Sequence, residues 1–104
     1  YLGHPYNITV AEGTQIGENV NLHKGCTIGR TNRVNVGVPK IGNCVFIGIN
    51  ATVVGNVMVG DDVLIAPNSY VNFDVPAHSV VIGNPATIHH RENATERYVG
   101  FIDA

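Results

Sequence analysis

The chain has 104 residues, six Lys or Arg against eight Asp or Glu, a net charge of −2, 44% hydrophobic and 13% charged residues. That is room for one domain with a dense apolar interior, and it argues against disorder. The charge balance excludes a basic nucleic-acid surface, no Lys/Arg cluster marks an anionic membrane surface, and no apolar run approaches the ~20 residues that span a bilayer.

The sequence opens mid-pattern at Tyr1-Leu2-Gly3-His4, with no initiating methionine and no secretory signal. It is therefore expected to be a piece of something longer. Asn7-Ile8-Thr9, Asn50-Ala51-Thr52 and Asn93-Ala94-Thr95 match the glycosylation acceptor pattern, but without a signal they read as ordinary turn and strand residues. Cys26 falls on an inward repeat position and Cys44 beside one. Both read as small structural thiols in a reducing compartment, which points to the cytoplasm.

A ladder of β-branched and aliphatic residues organises the chain. Val10, Ile16, Leu22 and Ile28 are six apart, as are Ile41, Ile47, Val53, Val59, Ile65 and Val71. Four residues after them stand Thr14, Val20, Cys26 and Asn32 in the first run, and the small or aliphatic Val45, Ala51, Val57, Val63, Ser69 and Val75 in the second. Gly17, Gly29, Gly42, Gly48 and Gly60 directly follow a ladder residue and are expected to ease the turn dihedrals. A period of six suits neither an α-helix nor one flat strand. It predicts an all-β solenoid of short strands, three hexads to a coil, with Ile47 stacked beneath Ile65 and Val53 beneath Val71. About ten such buried aliphatics, at ~1.5–3 kcal/mol each, can hold a domain of this size.

Ile28 and Ile41 are thirteen residues apart, one more than two hexads, so the register breaks inside Arg30 to Lys40. That polar stretch, closing on Gly37 and Pro39, predicts a loop bulging at about 30–40. The period lapses after Val71. Asn72-Phe73-Asp74-Val75-Pro76 reads as a turn, Ser79 to Ile82 as a last strand, and 86–104 as an extended or short helical tail capping the open end.

Chemistry-bearing side chains are few. Six residues before Val10 stands His4, an imidazole at a ladder position, and it is the candidate general base. No acid precedes Glu12, so a carboxylate that orients His4 is expected upstream of residue 1. His23 is the second candidate, although the second position of a hexad predicts an outward, solvated side chain. His78 reads as a turn residue. The adjacent His89 and His90 face opposite sides of an extended chain, and His4, His23 and His78 have no metal-site spacing, so no metal is expected.

The hexads resemble the left-handed parallel β-helix of hexapeptide-repeat acyltransferases, and within them the chain is similar to serine acetyltransferases over nearly its whole length. Three stretches carry this. Leu2-Gly3-His4-Pro5-Tyr6-Asn7-Ile8 resembles the family's Leu-Asp-His-Ala-Thr-Gly-Ile, which holds the catalytic histidine. Val20 to Gly29, with the loop ending Pro39-Lys40-Ile41-Gly42, resembles the acceptor-side region. Gly83-Asn84-Pro85-Ala86 resembles the Gly-x-Pro-Ala signature that closes the solenoid.

The resemblance implies acetyl transfer from acetyl-CoA to a small-molecule hydroxyl acceptor. His4 takes the hydroxyl proton, backbone N–H groups stabilise the oxyanion, and Asn7, His23 and Arg33 lie on the acceptor side. It implies a pantetheine arm lying against Gly48, Ile49, Ala66 and Pro67, with Asn84 and Arg91 nearer the nucleotide. It also implies a homotrimer, and the helical region that precedes the hexads in full-length members of the family is expected to be lacking here. The chain departs from the family at Gly3, where an Asp is usual, and at Gly37-Val38, where Arg-His engages serine. L-serine and a sugar hydroxyl therefore both stand as acceptors. Two other readings remain open at this point: a non-catalytic trimerisation module, and a β-helix carbonic anhydrase.

Overall fold

The computed structural model describes residues 8–31 and 36–95. Twelve strands follow in chain order: β1 Thr9–Val10, β2 Gln15–Ile16, β3 Asn21–Leu22, β4 Thr27–Gly29, β5 Lys40–Ile41, β6 Val45–Ile47, β7 Thr52–Val54, β8 Met58–Val59, β9 Val63–Ile65, β10 Tyr70–Val71, β11 Ser79–Gly83 and β12 Ala86–His90. They form three faces of a parallel coil stack. The first face is β1-β4-β7-β10, the second β2-β5-β8, and the third β12-β11-β9-β6-β3.

The predicted stacking is observed. Ile47 pairs with Ile65 and Val53 with Val71, so eighteen residues return the chain to the same face. Ile28, Val45, Ile47, Val53, Val63, Ile65 and Val71 have no exposed surface, and the small position Ser69 is equally enclosed at 1%.

The loop is larger than the thirteen-residue spacing suggests. Across it, Ile28 pairs with Val53, Ile16 with Ile41 and Leu22 with Ile47, separations of 25 rather than 18, so seven residues are inserted. Ile28 and Ile41 thus lie one face apart, not two. The inserted segment is pinched at its base, where Thr31 and Gly37 exchange backbone hydrogen bonds at 3.3 Å each.

The lapse after Val71 is a two-residue shortening. Val75 bridges to Val59, and Val81 pairs with Ile65 only sixteen residues back. Val75, expected at a corner, is therefore a ladder residue of the second face. The chain then doubles back at Asn84–Pro85, and β12 runs antiparallel to β11 as the extended start of the tail.

The glycine expectation is corrected. Gly17, Gly29, Gly42, Gly48 and Gly60 do not have left-handed backbones. The left-handed residue stands three places after the ladder residue, at Asn19, Gly25, Cys44, Asn50, Asp62, Asn68 and His78. Asn and Asp are among the side chains that tolerate this conformation best. Glycine follows the ladder residue because the next coil passes too close. A Cβ on Gly60 would lie 2.6 Å from the Ala77 nitrogen, and one on Gly42 would lie 2.9 Å from the Gly60 carbonyl carbon.

At Gly29 the nearest atom to such a Cβ is a Val54 methyl at 3.1 Å, a side chain that can shift. Gly60→Ala is therefore expected to cost about 1–3 kcal/mol of unfolding free energy, and Gly29→Ala less than about 1 kcal/mol. Urea denaturation of the two variants checks this, and equal losses would return the explanation to dihedral freedom.

Candidate functional site

The expected cofactor residues gather on the edge where the third face turns into the first. His23 and Lys24 follow Leu22, Gly48 and Ile49 follow Ile47, Ala66 and Pro67 follow Ile65, and Ile82 to Asn84 follow Val81. Backbone bonds step up this edge: His23 N–H to the Ile47 oxygen at 3.1 Å, Gly48 N–H to Ile65 at 2.9 Å and Ala66 N–H to Val81 at 2.9 Å. The edge's backbone polarity is thereby used between coils, leaving side chains to face outwards.

Gly48 itself is buried, and a Cβ there would lie 2.7 Å from the Pro67 nitrogen. The outer surface comes from Ile49, exposed to 46%, with Pro67 exposed and Ala66 half-buried. Its outer surface is apolar at Ile49, Ala66 and Pro67, with Lys24, Asn50 and Asn68 exposed beside them. At its end, the buried Ser69 hydroxyl accepts from Gly83 N–H at 3.0 Å and donates to the Val81 oxygen at 3.4 Å, which fixes the turn that presents Asn84. Such an edge suits a long thin ligand with an apolar arm.

His23 differs from its expectation. Its ring is half-buried, with its centroid 4.5 Å from that of Phe46 and tilted by 38°. Gly48, one coil further on, offers no side chain beside it, so the imidazole packs on the outward ring of β6. Arg91 is not brought to Asn84. It follows the far end of β12, where its N–H donates to the His78 oxygen at 2.8 Å, and a five-residue strand separates the two by about 16 Å. His4, Asn7 and Arg33 lie outside the described residues.

The opposite edge, from the second face to the third, is polar. Asn43 Oδ1 accepts from Glu18 N–H at 2.8 Å, and Asp61 Oδ1 accepts from Asn43 N–H at 2.7 Å. At its end Asp62 Oδ2 meets His78 Nδ1 at 2.7 Å. Asp62 has no precedent in the sequence reading, and its signal was the polar left-handed position it shares with Asn19, Asn50 and Asn68. Beside this edge an apolar groove of about 400 Å³ is lined by Met58, Gly60, Asp74, Val75, Pro76 and Ala77.

Burial pushes the Cys26 thiol up, only partly offset by backbone hydrogen bonds at His23 and Cys26 itself. Cys44 is half-buried and free. Under native conditions a thiol reagent is expected to modify Cys44 and to spare Cys26 by tenfold or more in rate, read by mass spectrometry. Faster labelling of Cys26 would reopen a reactive role for it.

The bacterial transferase hexapeptide family (six repeats) matches residues 39–72. Serine acetyltransferase from Helicobacter pylori is 36% identical over 87 residues, covering 83% of this chain and 51% of its own length. Serine acetyltransferase 2 of Arabidopsis thaliana is 38% identical over 88 residues, covering 84% of this chain and 27% of its own. The chain thus spans about half the length of the first relative and less of the second.

Among solved structures, soybean serine acetyltransferase complexed with serine aligns with a TM-score of 0.78 at 37% identity, over 85% of this chain and 37% of that one. Neisseria gonorrhoeae serine acetyltransferase in complex with serine gives 0.76 at 35%, over 83% and 35%. These neighbours fix the hand of the coil stack as left-handed.

Proposed function

Since the chain is a left-handed hexapeptide-repeat protein related to the serine acetyltransferases, we propose that it is the acetyl-transfer part of an acetyl-CoA-dependent O-acetyltransferase. The observation that carries this reading is the alignment of the hexads, at 35–37% identity, with two serine acetyltransferases whose structures hold serine. L-serine is the first acceptor proposed. A sugar hydroxyl is the second, favoured by Gly37 and Val38, which offer no charge to an amino-acid carboxylate.

Acetyl-CoA supplies an acetyl group already activated as a thioester. His4 removes the acceptor's hydroxyl proton as the oxygen attacks, and returns it to the departing sulfur as the C–S bond breaks. An imidazole suits both transfers because it titrates near neutral pH. Ile49, Ala66 and Pro67 line the pantetheine arm by apolar contact, Gly48 keeps the coils close enough to make that wall continuous, and Asn84 meets the nucleotide end. His23 and Arg33, with Asn7, complete the acceptor side. The protein works as a homotrimer in the cytoplasm.

The test is CoA release from acetyl-CoA with L-serine and a panel of sugars. His4→Ala is expected to lower kcat by at least about a hundredfold, with the oligomer intact by light scattering. Ile49→Glu, which sets a carboxylate on the apolar edge, is expected to raise the KM for acetyl-CoA about tenfold with little change in acceptor KM. Full activity in His4→Ala would remove the base assignment. No turnover with any hydroxyl acceptor, and no acetyl-CoA binding by calorimetry, would favour the trimerisation module.

A further inference from the structure

The residues after β12 return to the coil stack at one carboxylate. Asp62 sits in the left-handed position of the turn after β8, with its side chain only 15% exposed. Its Oδ1 accepts from Thr95 N–H at 3.0 Å and from the Thr95 hydroxyl at 2.8 Å. Its Oδ2 accepts from Ala94 N–H at 3.0 Å and from His78 Nδ1 at 2.7 Å. A carboxylate has about four lone-pair sites, and here all four are taken. Three serve a segment more than thirty residues away, in which Ala94 and Thr95 are only 3% and 1% exposed.

We propose that Asp62 is a proton-operated latch, seated by His78, that holds residues 92–95 against the end of the coil stack. The fourth partner gives the latch its second control. His78 also receives Arg91 N–H on its backbone oxygen at 2.8 Å, and its own N–H donates to the Asp61 oxygen at 3.0 Å. The charged groups facing its ring are Asp62 and Asp61 from the turn below and Glu92 from the tail at 3.5 Å. Glu92 reaches His90 as well, at 3.3 Å. The latch sets the position of Thr95, from which the last nine residues of the sequence continue.

The two titrations act in opposite directions. Partial burial pulls the Asp62 carboxyl up, but the Thr95 N–H, the His78 ring, the Thr95 hydroxyl and the Ala94 N–H outweigh it and hold it below the ordinary carboxylate range. Its contribution is thus present above that range and is lost as pH falls through the lowered value. His78 is raised, first by its hydrogen bond to Asp62, against some desolvation, and further by the charges of Glu92, Asp62 and Asp61. Its contribution is complete below the ordinary histidine range and is lost as pH rises through the raised value. The acid step is the larger, because a protonated carboxyl cannot accept four bonds, whereas neutral imidazole still donates from Nδ1.

Amide-exchange protection of Ala94 and Thr95, corrected for intrinsic rates and compared with Val81 in β11, tests this. At about pH 6, Asp62→Asn is expected to cut protection of both tail amides at least tenfold and to leave Val81 unchanged. An amide keeps the shape and the left-handed preference but has one accepting oxygen. In the wild type, Ala94 and Thr95 should lose protection as pH falls below the ordinary carboxylate range before Val81 does, and lose a smaller part above the raised histidine value. His78→Asn should abolish the alkaline step and keep the acid one. Unchanged protection in Asp62→Asn, loss of Val81 together with the tail amides in acid, or an alkaline step surviving in His78→Asn would each overturn the proposal.

Discussion

The spacing between coils is the constraint on which the rest of this protein depends. Parallel backbone hydrogen bonds hold neighbouring strands about 4.8 Å apart, and the turns joining the faces must pass one another at the same separation. Where the next coil's turn passes directly overhead there is no room for a Cβ after the ladder residue, as where Gly60 lies under Ala77 and Gly48 under Pro67. The bend is made two residues later, by a left-handed Asn, Asp, Cys, His or Gly. Each edge of the prism displays side chains only from the few positions between one strand and the next.

What each edge does with those positions separates structure from function. On the polar edge, Asn43 and Asp61 spend their side-chain oxygens on the backbone N–H groups of the coil before them. A hydrogen bond to a charged group is worth ~1.5–3 kcal/mol and a neutral one nearer ~1 kcal/mol, so this edge contributes to holding the stack together. Backbone groups satisfy one another from coil to coil on both edges, at Gly42 and Gly60 as at Gly48 and Ala66, and on the second edge the side chains of Ile49 and Pro67 are left exposed. Both edges are held by backbone bonds, and the one with the apolar outer surface at Ile49 and Pro67 is the one able to take a ligand.

The sequence made the stacking legible because inward residues report burial directly, and Ile47 over Ile65 needed only counting. It misled wherever the answer lay between coils. The glycines followed the ladder with the expected regularity but for a steric reason, visible only once Ala77 and Pro67 are seen above Gly60 and Gly48. Thirteen residues between Ile28 and Ile41 fit one face plus seven inserted residues better than two faces plus one, a choice that only strand pairing decides. His78 looked like an isolated turn histidine because Asp62 is sixteen residues away, and the chain returns to Asp62 again only at Thr95.

The inserted loop shows how packing can restrict specificity before any ligand is considered. Gly37 has φ +141°, and a Cβ on it would lie 2.9 Å from the Cβ of Asn56 in the turn after β7. A side chain at 37 must then both strain the backbone and displace a neighbouring turn. Val38 beside it is half-buried, and Pro39 is fully enclosed. The base of the loop is thus committed to closing the coil, and a cation placed there to meet an acceptor's carboxylate would break that closure. The cation nearest that closure among the described residues is Arg30, which directly precedes the Thr31–Gly37 pairing. Gly37 is for that reason fixed by the loop's packing, and a charged side chain placed at position 37 alone is expected to strain the loop.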